Sequence, residues 1–240
     1  MKTAVILAGG LGTRLKPFTQ VIPKPLLPIG EKSVLQIQIE RLGQAGFGRI
    51  FIATNYMSEY VKSFIGNGDR FGVSVIFSQE SIPLGTCGPL SLLRNELTEP
   101  FIVMNGDILS TIDFANFYNT SLAKSPEFVV VTKKIRTPFN FGSVEVRGDL
   151  LTNVVEKPDL ELEIVAGIYF MKPSVLRLVP DQTYYGIDHL IHKMLENKLP
   201  VGRFLMREYW LDIGRIEDYN EAQQAYQAHF RDGGHVERNV

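Results

Sequence analysis

The chain has 240 residues, 45% hydrophobic and 21% charged, a balance that supports a self-folding globular core and leaves no compositional case for disorder. Its formal net charge of -1 supplies no broad positive field, so nucleic-acid binding would need a local basic patch, and the sequence shows none. No apolar run nears the roughly 20 residues that a membrane-spanning helix needs, and the start MKTAVILAGG lacks a secretory leader pattern.

In chain order, residues 3–8 are a short apolar run stopping at Gly9-Gly10, the pattern of a buried strand that feeds a glycine loop. Ser33 with Gln36 three positions on is a capping-box pattern, and Gly46 closes the apolar-periodic stretch behind it, which predicts a helix over 33–45. The alternation continues with a strand at 49–53, a helix at 58–65, a strand at 73–77, a helix after Gly88 and a strand at 101–104, as in a mainly parallel sheet. Residues 128–132, 142–146, 151–155 and 164–170 are strand-like with little helix between them, so pairing in that half is expected to be mixed or antiparallel. A helix at 187–196, a strand at 201–205 and a helix at 217–228 are expected to extend the same sheet. No linker tract or repeat divides the chain. The expectation is one Rossmann-like α/β domain over 1–230, three layers deep (α/β/α), with a mixed, mainly parallel central sheet. Residues 231–240 carry Gly233-Gly234 and charges without apolar periodicity and are expected to form a mobile tail.

Leu7-Ala8-Gly9-Gly10-Leu11-Gly12-Thr13-Arg14 places three glycines in four positions just ahead of an arginine. Backbone N–H groups bared by glycine can approach phosphate oxygens, Arg14 offers a forked permanent cation, and Lys24 in Pro23-Lys24-Pro25 adds a second. A polyphosphate fits that set. A P-loop would need Lys-Ser/Thr where this chain has Thr13-Arg14. A dinucleotide fingerprint would need glycine at Leu15 and an acid after the second strand, where Thr54-Asn55 stand. A plain tight turn is the remaining alternative.

Two acids follow strand-like runs: Asp107 in Asn105-Gly106-Asp107, and Asp212 in Trp210-Leu211-Asp212-Ile213-Gly214. Open α/β sheets bind ligands at strand carboxyl ends, and Mg2+ accepts one or two carboxylates together with substrate phosphates. Taken alone, each aspartate is more often a cap or turn residue. The single Cys87 excludes an intrachain disulfide and reads as a packing residue, and a lone Trp210 is at least as often core as ligand platform. His189 and His192 lie three apart on a predicted helix but lack a third ligand, so a surface role is expected, and His229 and His235 fall near the end of the chain.

Gly9-Gly10-Leu11-Gly12-Thr13-Arg14 followed by Pro23-Lys24-Pro25-Leu26 resembles the signature of the sugar-1-phosphate nucleotidylyltransferases, and the resemblance extends over about residues 1–227. It implies the nucleotide-diphospho-sugar transferase fold, with a nucleotide-binding half at about 1–135 and a sugar-phosphate-binding half at 136–230. The implied activity joins a nucleoside triphosphate to a sugar 1-phosphate and releases pyrophosphate. By resemblance, Leu7, Ala8, Gly9, Gly10, Gly12, Thr13 and Arg14 hold the triphosphate, Lys24 stabilises its charge, and Asp107 and Asp212 bind Mg2+.

The segment Gln79-Glu80-Ser81-Ile82-Pro83-Leu84-Gly85-Thr86-Cys87-Gly88-Pro89-Leu90 resembles the family's nucleobase segment. It assigns base contacts to Gln79, Glu80, Gly85, Thr86 and Gly88, with the glycines bringing backbone close to a planar base. Its form is closer to guanylyltransferases acting on mannose-like or heptose phosphates, which makes GTP the expected nucleotide and UTP the main rival. Phe141-Gly142-Ser143-Val144, Val155-Glu156-Lys157-Pro158 and Ala166-Gly167-Ile168-Tyr169 resemble three sugar segments. Gly142, Glu156, Lys157, Gly167 and Tyr169, with Asn105 and Trp210, are thereby assigned to the sugar phosphate. Arg14, Lys24, Asp107 and Lys157 form the implied catalytic set. Val165 stands where many relatives carry asparagine, which removes one hydroxyl contact. The alternative class is a noncatalytic nucleotide-sugar sensor, against which every catalytic position is filled. A cytoplasmic protein without membrane or nucleic-acid partners is the expectation, and a homo-oligomer is compatible with it.

Overall fold

The structure, a computed structural model, describes residues 1–231, so all but the first residue of the tail expected at 231–240, His235 included, lies outside the described residues. Strand β1 (Lys2–Leu7) opens the chain. The short pair β2 (Pro28–Ile29) and β3 (Lys32–Ser33) leads into helix α1 (Val34–Gln44). Ser33 caps α1 by accepting a hydrogen bond from the Gln36 amide at 3.2 Å. The reciprocal half of the expected capping box is missing, because the Gln36 side chain donates to Glu40 at 2.9 Å instead. Ser33→Ala is predicted to cost about 1 kcal/mol, a fall of about 2–4 °C in melting temperature for a chain of this size. A thermal melt followed by circular dichroism measures it.

Strand β4 (Phe47–Thr54), helix α2 (Ser58–Ile65), strands β5 (Ser74–Gln79), β6 (Phe101–Asn105) and β7 (Ile108–Ser110), and helix α3 (Phe114–Leu122) follow. Then come β8 (Phe128–Pro138), β9 (Ser143–Arg147), β10 (Leu150–Val155), β11 (Asp159–Met171), α4 (Ile187–Glu196), β12 (Val201–Met206), β13 (Trp210–Asp212) and α5 (Ile216–His229). The segment after Gly88 is a 3-10 helix (Gly88–Leu93), where a helix of unspecified type was expected.

Seven strands form one sheet in the order β12-β8-β11-β6-β1-β4-β5. The strands β6, β1, β4 and β5 are mutually parallel, β11 runs against both β6 and β8, and β12 runs with β8. Only β11 is reversed, so the sheet is mixed and mainly parallel, as expected. Alternation along the strands sorts side chains to two faces. Ala4, Ile6, Ile50, Ile52, Ile102 and Phe170 pack with Leu35 and Ile39 of α1, Val61 of α2 and Phe117 of α3. Val5, Phe51, Val103 and Met171 pack with Leu90, Val175 and, from α4, Leu190 and Met194. These are the three layers.

A third cluster lies beside the sheet and joins Leu15, Leu27, Ile29, Ile37, Leu109, Leu211, Ile213 and Tyr226. It ties the loops of residues 13–29 to the β7–β13 pair and to α5. Hairpin β9–β10 forms a separate two-stranded sheet outside the central one. Among the described residues, no helix is long and apolar enough to cross a membrane.

Candidate functional site

The glycine loop leaves β1 at the sheet's centre, between β4 and β6, where the carboxyl ends of parallel strands open a crevice. Gly12 has φ +61°, and a Cβ there would stand 2.8 Å from Thr19 Cγ2 and 3.1 Å from Lys24 Cβ. A left-handed backbone and a tight approach both require glycine, so the loop can lie directly on the segment that carries Lys24. The buried Thr19 fastens it by donating to the Gly12 carbonyl at 2.8 Å. Next to β1, Gly106 donates to the Leu7 carbonyl at 2.8 Å, and a Cβ on Gly106 would come within 2.7 Å of that oxygen. The turn carrying Asp107 thereby lies against the start of the loop.

These loops enclose a cavity of about 150 Å3 lined by Leu7, Ala8, Gly10, Gly12, Thr13, Arg14, Lys24, Pro25, Gly106, Asp107 and Gly214. Lys24 forms an ion pair with Asp107 Oδ2, while Asp107 Oδ1 is buried without a hydrogen-bond partner. Asp212 arrives from the other side. Strand β13 pairs antiparallel with β7, setting Asp212 opposite Ile108, and the Ile213 amide donates to the Asp107 carbonyl at 3.0 Å. Burial first, and the neighbouring Asp107 carboxylate second, push the Asp212 carboxyl up to about 6 against the opposing pull of Lys24 and Arg14. Two carboxylates that repel each other, one with an unpartnered buried oxygen, are a donor set suited to a divalent cation that takes its other ligands from a bound substrate. No group of three or more His, Cys, Asp or Glu is placed to hold a metal by itself among the described residues.

A second cavity, of about 370 Å3, lies on the Asp212 side of the carboxylate pair and is lined by Asn105, Ile108, Ile164, Val165, Gly167, Tyr169, Ile187, Asp188, Ile191, Trp210 and Asp212. Trp210 is fixed there by donating its indole N–H to the Ala166 carbonyl at 2.8 Å. Tyr169 stacks on Phe128 with ring centroids 5.9 Å apart, and burial raises its phenol. Gly167 lets Asn105 Nδ2 pack against the chain, since a Cβ would be 2.8 Å from it.

Other predicted site residues fall elsewhere. Gly142, Glu156 and Lys157 do not line either cavity. They sit exposed around hairpin β9–β10, with Lys157 at φ +49° in the turn into β11. Gln79 is exposed and accepts from Lys62 at 2.9 Å. Glu80 is turned inward: it accepts from the Leu84 amide at 2.8 Å, its other oxygen lies against Gly9, and burial raises its carboxyl.

Gly85 and Gly88, assigned by resemblance to the base, lie against protein backbone. A Cβ on Gly85 would be 2.9 Å from the Tyr185 carbonyl and one on Gly88 2.5 Å from the Thr183 carbonyl, while the Cys87 and Gly88 amides both donate to Tyr185 O at 2.9 Å. Thr86 accepts from the Ile187 amide at 3.0 Å at the start of α4. Cys87 is buried, and burial pushes its thiol up to about 12, in keeping with a packing role. His189 caps α4 by accepting from the Gly186 amide at 3.3 Å.

Asp218 escaped the sequence reading. Its Oδ2 accepts from the amides of Gly214 at 3.1 Å and Arg215 at 2.8 Å, pinning the loop that carries Asp212 to the first turn of α5. The signal was available: an acid in the first turn of a predicted helix, three residues after Arg215, is a capping pattern.

Arg14, Lys24 and Asp107 thus line the first cavity, and Asp212, from a fourth stretch of sequence, lines the second and lies close enough for the charges of Asp107, Lys24 and Arg14 to act on it. The profile of the family described as nucleotidyl transferase matches residues 3–229. The chain belongs to the nucleotidyl transferase family. It is similar to a mannose-1-phosphate guanyltransferase of Schizosaccharomyces pombe, 35% identical over 90% of this chain and 62% of the relative. It is likewise similar to a mannose-1-phosphate guanylyltransferase catalytic subunit beta of Danio rerio, 34% identical over 90% of this chain and 62% of the relative. The chain therefore spans 62% of the length of these curated relatives. Among solved structures, HddC from Yersinia pseudotuberculosis matches with a TM-score of 0.74 and 28% identity, covering 94% of this chain and 100% of that one. A second HddC structure, complexed with GMP-PN, matches with a TM-score of 0.74 and 27% identity, over 94% of this chain and 100% of that one.

Proposed function

We propose that the chain is a magnesium-dependent sugar-1-phosphate guanylyltransferase, making a GDP-sugar and pyrophosphate from GTP and a mannose- or heptose-like 1-phosphate. The observation that carries this reading is that Arg14, Lys24 and Asp107 line the cavity at the carboxyl end of β1, while Asp212, whose charge is coupled to theirs, lines a second cavity large enough for a sugar ring. The curated relatives named for mannose-1-phosphate guanylyl transfer and the HddC structure complexed with GMP-PN support the choice of base and acceptor.

In this reading the triphosphate lies along the amides of the glycine loop, with Arg14 and Lys24 over its oxygens. An oxygen of the sugar phosphate attacks the α-phosphorus of GTP. The bond from that phosphorus to the bridge oxygen of the β-phosphate breaks, and pyrophosphate leaves on the opposite side. Both reactants are anions, so Arg14 and Lys24 offset their repulsion and neutralise charge on the leaving group. Asp107 and Asp212 would hold Mg2+, which supplies divalent positive charge to the phosphate oxygens. The second cavity orients the acceptor, with Trp210 and Tyr169 giving it flat apolar walls and Asn105, Asp188 and the backbone around Gly167 giving it polar partners.

Lys157 is the sequence-assigned cation for the sugar phosphate. Because it stands exposed in the connection from β10 to β11, it would serve only if that segment folds over the bound acceptor. Cytoplasmic residence is part of the same proposal. The test is to supply mannose 1-phosphate and Mg2+ with GTP or UTP and to resolve the nucleotide sugars by anion-exchange chromatography. A kcat/KM at least tenfold higher for GTP supports the reading, and a preference for UTP reassigns the base.

A further inference from the structure

We infer that Gln38 is a positioning residue for the Asp107 carboxylate. Gln38 lies in α1, outside every motif considered above, and is only 3% exposed. Its neighbours in the helix face the apolar core, as a helix of this pattern requires: Leu35 and Ile39 pack under the sheet, and Ile37 packs in the cluster beside it. A buried amide in that setting needs partners. It finds them at the site. The Gln38 Nε2 amine donates to the Asn105 carbonyl at 3.0 Å and to the Ile108 carbonyl at 2.7 Å. These two carbonyls bracket Gly106 and Asp107, so one side chain clamps both ends of the turn that presents the carboxylate.

The orientation of the amide follows from its surroundings. Both facing groups are carbonyl oxygens, which only accept, so the amine end must point at them. The other end, Oε1, is buried without a hydrogen-bond partner among the described residues. An apolar residue would avoid that cost, so the position is explained by the two donated bonds. Three constraints then act on the turn. Gly106 holds it to β1 through Leu7 O, Lys24 holds Asp107 Oδ2, and Gln38 holds the backbone on either side. What remains free is Asp107 Oδ1, the buried and unpartnered oxygen of the carboxylate whose charge acts on Asp212. A ligand carboxylate held by fixed outer contacts binds a cation more tightly than one that must be ordered on binding.

The inference rests on the reading of Asp107 and Asp212 as cation ligands, and its test separates the two. Mn2+ alone is titrated into the protein, and free Mn2+ is read by electron paramagnetic resonance, for wild type, Asp107→Ala, Gln38→Met, Gln38→Glu and Ser33→Ala. Gln38→Met keeps the length and volume of the side chain and lacks the donor. Ser33→Ala weakens the same helix at its cap without touching the turn.

Gln38→Met is expected to raise the half-saturating Mn2+ concentration about tenfold or more. Ser33→Ala is expected to lower the melting temperature and leave that concentration within twofold of wild type. Should Gln38→Met fail to fold, Gln38→Glu, which sets an acceptor against the two carbonyls, carries the same expectation. A folded Gln38 variant with wild-type Mn2+ binding overturns the inference, as does an equal shift in Ser33→Ala. Wild type binding Mn2+ no better than Asp107→Ala overturns the cation reading itself.

Discussion

Asp107→Ala should leave a folded protein whose turnover is lower by about 1000-fold or more, equivalent to roughly 4 kcal/mol of transition-state stabilisation. Asp107 has three polar atoms in play: its Oδ2 pairs with Lys24, its Oδ1 is buried and unpartnered, and its carbonyl accepts from Ile213. Truncation removes the first two and keeps the third, so the β7–β13 connection survives. The effect on stability should be small because two contributions oppose each other. Lys24, with a side chain 11% exposed, loses its partner, and Asp212 loses a repelling neighbour. Steady-state assays of pyrophosphate release, with a thermal melt on the same sample, check both parts. A folded variant with near-normal turnover would remove Asp107 from the chemistry.

The second large effect concerns stability. Gly30 connects β2 and β3 at φ +59°, and a Cβ there would stand 2.2 Å from Tyr226 Cδ1 and 2.4 Å from Cε1. Tyr226 is among the largest fully buried side chains and belongs to the cluster that ties α5 to the loops around Lys24 and Asp212. Gly30→Ala therefore adds an unfavourable left-handed backbone to a displaced aromatic ring. The expected cost is about 2–4 kcal/mol, or a melting temperature lower by roughly 5–15 °C. Because the displaced ring packs in the cluster with Leu15, Leu27, Leu211 and Ile213, neighbours of Arg14, Lys24 and Asp212 in the chain, turnover should fall as well. A variant melting within 1 °C of wild type, to borrow the usual precision of such a scan, would show that α5 shifts at little cost.

Much of the fold could be read from period and punctuation. The helix at α2 and the helix at α4 fall where the apolar spacing and flanking glycines set them, because both have strong amphipathic patterns. Helix α3 gave no such signal. Its sequence FANFYNTSL is rich in Asn, Thr, Ser and aromatic residues, which are weak helix formers, and its cap is Asp113 accepting from the Asn116 amide at 2.9 Å without a Glu or Gln to complete a box. Strands β7 and β13 are three residues each, too short for alternation to show, yet their pairing is what brings Asp212 to Asp107.

The same contrast holds at the site. Arg14, Lys24, Asp107 and Asp212 are marked by local motifs, and the structure brings them together. The motif around Gly85 and Gly88 is equally visible, but its glycines answer to a backbone partner at 183–185 that lies about a hundred residues away and leaves no local trace. Gln38 reads as one polar residue in an apolar helix, and only the fold shows what it holds. Gly142, Glu156 and Lys157 are marked by motif resemblance alone, and the fold sets them exposed at the base of hairpin β9–β10, away from both cavities.

The central claim is that one pocket joins two anionic substrates through Arg14, Lys24 and a cation held by Asp107 and Asp212. Its most direct test is pyrophosphate release measured across the four common nucleoside triphosphates and a panel of sugar 1-phosphates, with Mg2+ and again with excess EDTA. The account predicts release from at least one pair, strongest with GTP and a mannose-like acceptor, requiring both substrates and abolished by EDTA. Release that persists in EDTA or without an acceptor, or no release from any pair, would contradict it.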